Sequence, residues 1–78
     1  MVTKFEIDPI REKYLAAESF FRWGKESFDE KDYETSRIFL GLSKALFNDL
    51  NQYEKCRKFV EKIEPLYKES CEKVGIAP

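Results

Sequence analysis

DEKDYETSRIFLGLSKALFNDL, residues 29–50, sets a polar tetrapeptide in front of a long apolar series. Asp32 stands where the N-cap of a helix belongs, so the tetrapeptide predicts a tight antiparallel turn between two helices. Behind this turn, small and apolar residues recur every three or four positions, which is the period of an α-helix. They are Ser36, Phe39, Leu40, Ser43, Leu46, Phe47 and Leu50. The pattern predicts a helix over about 33–49.

This second helix carries more apolar circumference than a single contact needs. Ile38, Leu42 and Ala45 lie well round the cylinder from the main stripe, which widens the apolar arc to about 220°. We expect it to be the most enclosed helix, wedged between two neighbours. The narrow polar side that is left should face water, and it holds Arg37, Gly41, Lys44 and Asn48.

Upstream, Asp8-Pro9 predicts the start of a first helix over about 9–29, because Asp caps N-termini well and Pro is tolerated in the first turn. One core stripe consists of Ile10, Tyr14, Ala17, Phe21, Gly24 and Phe28. A second stripe beside it consists of Ala16, Phe20, Trp23 and Ser27. Residues 1–7 show no clear helical period and are interpreted as an arm.

Downstream, Asn51 and Glu54 have the spacing of a capping box, which predicts a third helix over about 52–74. Gly75 offers a left-handed C-cap, and 76–78 form a short tail. Pro65 lies inside this helix, where it removes a hydrogen bond, so we expect a kink or a break near residues 61–64. Together the pattern predicts an all-α fold: one antiparallel three-helix bundle over 8–75, running up-down-up with helix 3 kinked near Pro65.

Composition excludes several functional classes. The 78 residues carry a net charge of −1 and no His. Without His, a Gly-rich phosphate loop or a Cys/His cluster, the sequence predicts no enzyme, no cofactor and no metal site. The basic residues of helix 3 alternate with acidic ones, so a nucleic-acid-binding protein is only a remote alternative.

The two cysteines indicate the cellular compartment. Cys56 and Cys71 would lie about 22 Å apart on one helix, too far to form a disulfide. Cys56 falls on the core stripe, and Cys71 is expected to be less sheltered. Free thiols, with no apolar run long enough for a signal peptide or a membrane span, predict a cytoplasmic protein. Scarce Asn and Gln beside abundant Lys and Glu are typical of thermophilic sources.

The first turn resembles the tetratricopeptide-repeat (TPR) hairpin. Gly24, Asp32-Tyr33, Ser36 and Ser43 stand at the spacings of that repeat, where small residues let two helices approach closely. Ser replaces the usual Ala at 36 and 43, and no second 34-residue copy follows. The resemblance covers about half the chain and implies a helical hairpin without a repeat array.

The whole chain is similar to the microtubule-interacting-and-trafficking (MIT) domain, a three-helix bundle with a long third helix. The run KCRKFVEKIEPL, residues 55–66, resembles the basic, apolar and acidic pattern of that family's third helix. Ile63 replaces a small Ala of the family pattern, and Pro65 has no counterpart in it. The resemblance implies binding of tail peptides from ESCRT-type membrane-remodelling subunits in grooves along helix 3.

The function predicted from these observations is protein–protein interaction by a small adaptor that binds a partner helix or peptide in an inter-helix groove. The candidate partner-binding residues on helix 3 are Phe59, Lys62 and Leu66, which combine apolar and basic character. Those on helix 2 are Ile38, Leu42 and Ala45. Phe59 and Leu66 could instead complete the core. The surplus apolar arc of helix 2, or the Phe20/Trp23 stripe, could instead pair with a second copy in a homodimer.

Overall fold

Three helices account for the regular structure of residues 8–78, the part of the chain that this computed structural model describes. They are α1 (Pro9–Asp29), α2 (Tyr33–Asn48) and α3 (Glu54–Val74). α2 packs along both of the others, whereas the backbones of α1 and α3 come close at few points. The predicted all-α three-helix bundle is confirmed, with α2 as its central element. The predicted arm lies outside the described residues.

The starts of α1 and α2 follow from their capping residues. Asp8 Oδ1 accepts hydrogen bonds from the backbone N–H groups of Ile10 at 3.0 Å and Arg11 at 3.4 Å. Asp32 Oδ1 accepts one from the N–H of Thr35 at 3.3 Å. Each carboxylate satisfies N–H groups that have no partner within the helix, and it also complements the positive end of the helix dipole. Both predicted N-caps are confirmed.

The start predicted for α3 is wrong by two residues. The N-cap is Tyr53, which makes no side-chain capping bond, and the helix begins at Glu54. Residues before it form successive turns, and the carbonyl of Asn51 accepts a hydrogen bond from the Arg57 side chain at 2.7 Å. Asn51 therefore contributes its backbone to a loop contact and does not cap the helix.

The remainder of α3 follows the sequence more closely. It is one continuous helix with Pro65 inside it. Of the kink or break expected near residues 61–64, the break is therefore excluded. Gly75 adopts a left-handed φ of 78°, and the N–H of Ile76 donates to the carbonyl of Cys71 at 2.9 Å. These are the features of a Schellman-type helix end, and the predicted glycine cap is confirmed.

Three buried hydroxyl groups join the helices at their closest contacts. Ser36 Oγ donates to the carbonyl of Gly24 at 2.8 Å, and Ser43 Oγ donates to the carbonyl of Ala17 at 2.7 Å. Ser70 Oγ on α3 donates to Ser36 Oγ at 3.2 Å. Small residues on both sides let the backbones approach, and each buried hydroxyl has a hydrogen-bond partner, which removes the cost of burying it.

The expectation that the narrow polar side of α2 faces water is wrong for most of that side, because α3 packs there. A Cβ atom at Gly41 would lie 3.3 Å from Cε1 of Tyr67. Lys44 Nζ lies 3.6 Å from the carboxylate of Glu64 and 5.5 Å from the centroid of the Tyr67 ring. The glycine gives Tyr67 room, and the lysine stem covers that ring while its charge reaches a carboxylate.

Both cysteines are free and buried. Cys56 is 2% exposed and Cys71 is 0% exposed, so the expectation that Cys71 is the less sheltered thiol is wrong. Burial raises the pKa of the Cys56 thiol above its ordinary value, because the apolar surroundings disfavour the thiolate. Reactivity depends on the thiolate and on access to it, so the native thiols should be inert.

This burial predicts slow thiol labelling. At pH 8 in a reducing-agent-free buffer, a disulfide reagent should modify Cys56 and Cys71 in the native protein at least about a hundredfold more slowly than in urea, because labelling requires opening of the bundle. Absorbance of the released reagent group measures both rates. Native labelling at the rate of the unfolded chain would show that the thiols are not sealed in the core.

Candidate partner-binding surfaces

The residues predicted to bind a partner lie on two separate surfaces. Phe59, Lys62 and Leu66 lie on the side of α3 that adjoins α1, since Phe59 contacts aromatic rings of that helix. Ile38 and Leu42 lie on a side of α2 that neither neighbour covers. The structure therefore does not bring the two predicted groups together into one site.

Phe59 belongs to the core where the three helices meet. Its ring stacks on Phe47 of α2, with centroids 4.5 Å apart and an angle of 3° between the planes. It also meets the ring of Tyr14 edge-on at 6.2 Å and that of Phe21 at 5.6 Å. Such contacts add to the burial of apolar area that stabilises the fold. Phe59 is half-buried, so only part of its ring is open to a partner.

Leu66 and Lys62 complete the same seam. Leu66 is half-buried against the core, and exposed Lys62 places its ammonium group 5.6 Å from the Phe59 ring centroid. Lys55 covers the ring of Tyr14 in the same way at 5.1 Å. Cation–π contacts of this kind are worth about 0.5–1 kcal/mol at exposed sites. The lysines along this edge thus partly cover the rings of Phe59 and Tyr14.

Another group of exposed apolar residues lies on α1 and α2, away from Phe59. We call it the outer face, defined by Phe20 and Trp23 of α1 and by four residues of α2: Ile38, Phe39, Leu42 and Ala45. The exposed fraction is 43% for Trp23, 47% for Ile38 and 45% for Leu42. Single exposed apolar residues are ordinary, but a contiguous group of large ones marks a candidate interaction surface.

An aromatic cluster joins α1 to α2 on the outer face. The ring of Phe20 stacks on that of Phe39 at 5.9 Å, and Trp23 lies 5.9 Å from Phe20 and 5.7 Å from Phe39. The sequence placed Phe39 in the core stripe of helix 2, whereas it lies at the stripe's edge beside the two α1 aromatics. Its helical phase, shared more nearly with Leu46 and Leu42 than with Leu40, is the signal that could have found it.

Charge is excluded from the α2 half of the outer face. α2 contains three charged residues, Glu34, Arg37 and Lys44. Arg37 pairs with Glu34, and Lys44 reaches across to Glu64 of α3. The α2 residues that face away from both neighbouring helices, Ile38, Leu42 and Ala45, are therefore all uncharged. In the whole chain 37% of the residues are charged.

Chemical sites are not evident in the part of the chain that is described. Across residues 8–78, no group of three or more acidic or cysteine side chains is arranged to hold a metal ion. Within that range, none of the helices combines the length and the apolar content that crossing a lipid bilayer requires.

No family model, no curated protein and no solved structure matches the chain. The resemblances to the MIT domain and to the TPR hairpin therefore stay predictions.

Proposed function

We propose that this chain is a non-enzymatic protein-interaction module that binds an amphipathic helix of a partner protein on the outer face. The observation that supports this proposal is the joint exposure of Trp23, Ile38 and Leu42 on a surface whose α2 half carries no charge. Burying half-exposed side chains of this size yields about 25 cal/mol for each Å² of apolar area. Tryptophan is also among the residues that most often dominate binding energy at interfaces.

The shape of the outer face favours a helical partner. The aromatic cluster lies along α1, and Ile38, Leu42 and Ala45 recur along α2 at spacings of four and three. A partner helix with apolar residues at i, i+3 or i+4, and i+7 would lie along this row and beside the aromatic cluster. We infer the cytoplasm as the compartment of this contact, supported by the two free thiols.

A second candidate function is self-association through the same face. A two-fold axis through the outer face would place the aromatic cluster of one copy on the aliphatic row of the other, as an isologous interface requires. This alternative predicts a mass in solution that doubles as the protein concentration rises. A mass of 9.3 kDa at all concentrations, measured by sedimentation, would leave the partner-helix proposal as the one to test.

Photo-crosslinking tests the proposal by position. A photoreactive residue at Leu42 should capture a partner in a lysate of the source cell, whereas the same residue at exposed Lys68 should not. Placing it at Lys62 tests the groove along helix 3 that the MIT resemblance implies. The captured protein is then purified, and its affinity for the unmodified chain is measured. Capture from Lys62 and not from Leu42 would contradict the outer-face proposal.

Substitutions on the outer face should reduce binding without unfolding the protein. Leu42→Glu is expected to weaken the affinity for the purified partner at least about tenfold, because it places a charge in an apolar contact. Because Leu42 is half-exposed, the substitution should change the protein's free energy of unfolding by no more than about 1 kcal/mol.

Asn48→Glu is the matched control, because it adds the same charge to α2 outside the outer face. Calorimetry measures the affinities, and circular dichroism confirms that both variants are folded. Equal affinities for the two variants would exclude the outer face as the binding surface.

A further inference from the structure

A cleft of about 360 Å³ opens at one end of the bundle, between the start of α1, the α2–α3 loop and the first turn of α3. Its floor and walls are apolar, formed by Ile10, Leu50, Tyr53 and Cys56. Leu50 and Cys56 are buried, whereas Ile10 and Tyr53 stand exposed at the mouth. The volume falls within the range of small-molecule sites, and these residues are separate from the outer face.

Positive charge borders this cleft. Arg11 and Lys55 line it, and neither side chain forms an ion pair with another residue of 8–78. The carboxylate of Asp8 also lines it, but it is engaged in capping α1. The cleft therefore combines an apolar interior with two cations whose charges are not neutralised by salt bridges within the described residues.

An unpartnered hydroxyl lies beside these cations. The oxygen of Tyr14 is buried, and its proton has no acceptor among the described residues. Lys55 lies over the Tyr14 ring, 5.1 Å from its centroid. The Tyr14 oxygen raises the pKa of Lys55 because it favours the charged ammonium group. Lys55 therefore keeps its positive charge at the edge of the cleft.

We propose that the cleft binds an amphipathic carboxylate of the medium-chain fatty-acid class. The hydrocarbon chain would lie against Ile10, Leu50 and Cys56. The carboxylate would accept charge-assisted hydrogen bonds from Lys55 and Arg11. The volume of about 360 Å³ lies at the lower end of the range for small-molecule sites, which suits a short amphiphile such as decanoate.

Titration of the full chain with decanoate, kept below its micelle-forming concentration, tests the assignment. Calorimetry should show saturable binding of one decanoate per chain. In NMR spectra, the backbone amide signals of Leu50 and Cys56 should shift. Octanoate should bind about tenfold more weakly, because it buries two fewer methylene groups. Decyltrimethylammonium has a similar tail with a cationic head, and it should not shift these signals. Equal binding of the cationic and anionic amphiphiles would overturn the proposal.

Two lysine variants separate the cleft from a general attraction to positive charge. Lys55→Gln should weaken decanoate binding about tenfold, because a hydrogen bond to a charged group is lost. Lys58→Gln is the matched control, since Lys58 pairs with Glu54 away from the cleft and its loss should leave the affinity unchanged. Equal affinities for the two variants would overturn the assignment.

The titration also tests other occupants of the cleft. If decanoate binds only after Phe5→Ser, the chain's own N-terminal residues take the cleft, and the proposal fails. If raising the protein concentration forms a dimer, shifts the Leu50 and Cys56 signals and weakens decanoate binding, a second copy is the occupant of the cleft. The proposal then fails as well. Binding to the unaltered monomeric chain with the Lys55 dependence supports it.

Discussion

Replacing Phe59 with alanine is expected to lower the free energy of unfolding by about 2–4 kcal/mol, somewhat less than for a fully buried ring because Phe59 is half-buried. The ring fills the point where the three helices meet, stacked at 4.5 Å on Phe47 and edge-on to Tyr14 and Phe21. Its removal takes away those contacts and leaves a cavity that three helices border. Small domains are stable by about 5–15 kcal/mol in all, so the effect should be visible as a large fall in the midpoint of urea unfolding.

The control for this prediction is Leu42→Ala on the outer face. Leu42 is 45% exposed, so its truncation should change the free energy of unfolding by no more than about 1 kcal/mol. Far-UV circular dichroism in urea measures both variants under the same conditions. Equal destabilisation by the two substitutions would mean that Phe59 is not a core residue. The surface of α3 would then regain its place as the first candidate for partner binding.

The positions of the helices could be predicted because their determinants are local. Asp8, Asp32 and Gly75 act on N–H and carbonyl groups within a few residues of themselves, so the chain around each is enough to identify it. The start of α3 was predicted wrongly because the contact that Asn51 makes lies outside the first turn that a capping pattern describes. The carbonyl of Asn51 is held by the side chain of Arg57, a contact six residues away that no capping pattern describes.

The orientation of α2 could not be predicted for a different reason. An apolar arc of about 220° shows that a helix has more than one neighbour, but it does not show which part of the arc stays uncovered. The structure places α3 over Gly41 and Lys44, on the side that appeared polar in the sequence. A glycine that accommodates Tyr67 and a lysine stem that covers its ring make a good helix contact without adding hydrophobicity to the sequence.

The location of the candidate site could not be predicted for the same reason. Ile38, Leu42 and Phe59 all fit an apolar helical stripe, and a stripe does not distinguish core from surface. The distinction comes from the docking of α3, which turns Phe59 toward rings of α1 and α2 and leaves Ile38 and Leu42 exposed. The outer face is thus a consequence of where α3 packs, and it could be predicted only as one of two possibilities.

Replacing Gly24 with alanine is expected to cost about 1–3 kcal/mol in overpacking, offset in part by about 1 kcal/mol of helix propensity. A Cβ atom there would lie 2.8 Å from Cγ and Cδ2 of Leu40 and 3.1 Å from the Leu40 backbone nitrogen. Leu40 is fully buried and cannot swing aside, so α1 and α2 would have to separate. Their separation would also strain the hydrogen bond from Ser36 to the Gly24 carbonyl. Thermal and urea unfolding measure the loss.

Gly41→Ala is the matched control, because both glycines lie inside helices and each substitution gains about 1 kcal/mol of intrinsic helix propensity. At Gly41 the nearest obstacle is the edge of the Tyr67 ring at 3.3 Å, a side chain that is only half-buried. The difference between the two variants therefore isolates the contact of α1 with α2 from propensity, and Gly24→Ala should be less stable than Gly41→Ala by at least about 1 kcal/mol. Equal stabilities would mean that the hairpin can adjust around Leu40, and that the close approach at Gly24 does not fix how α1 and α2 pack.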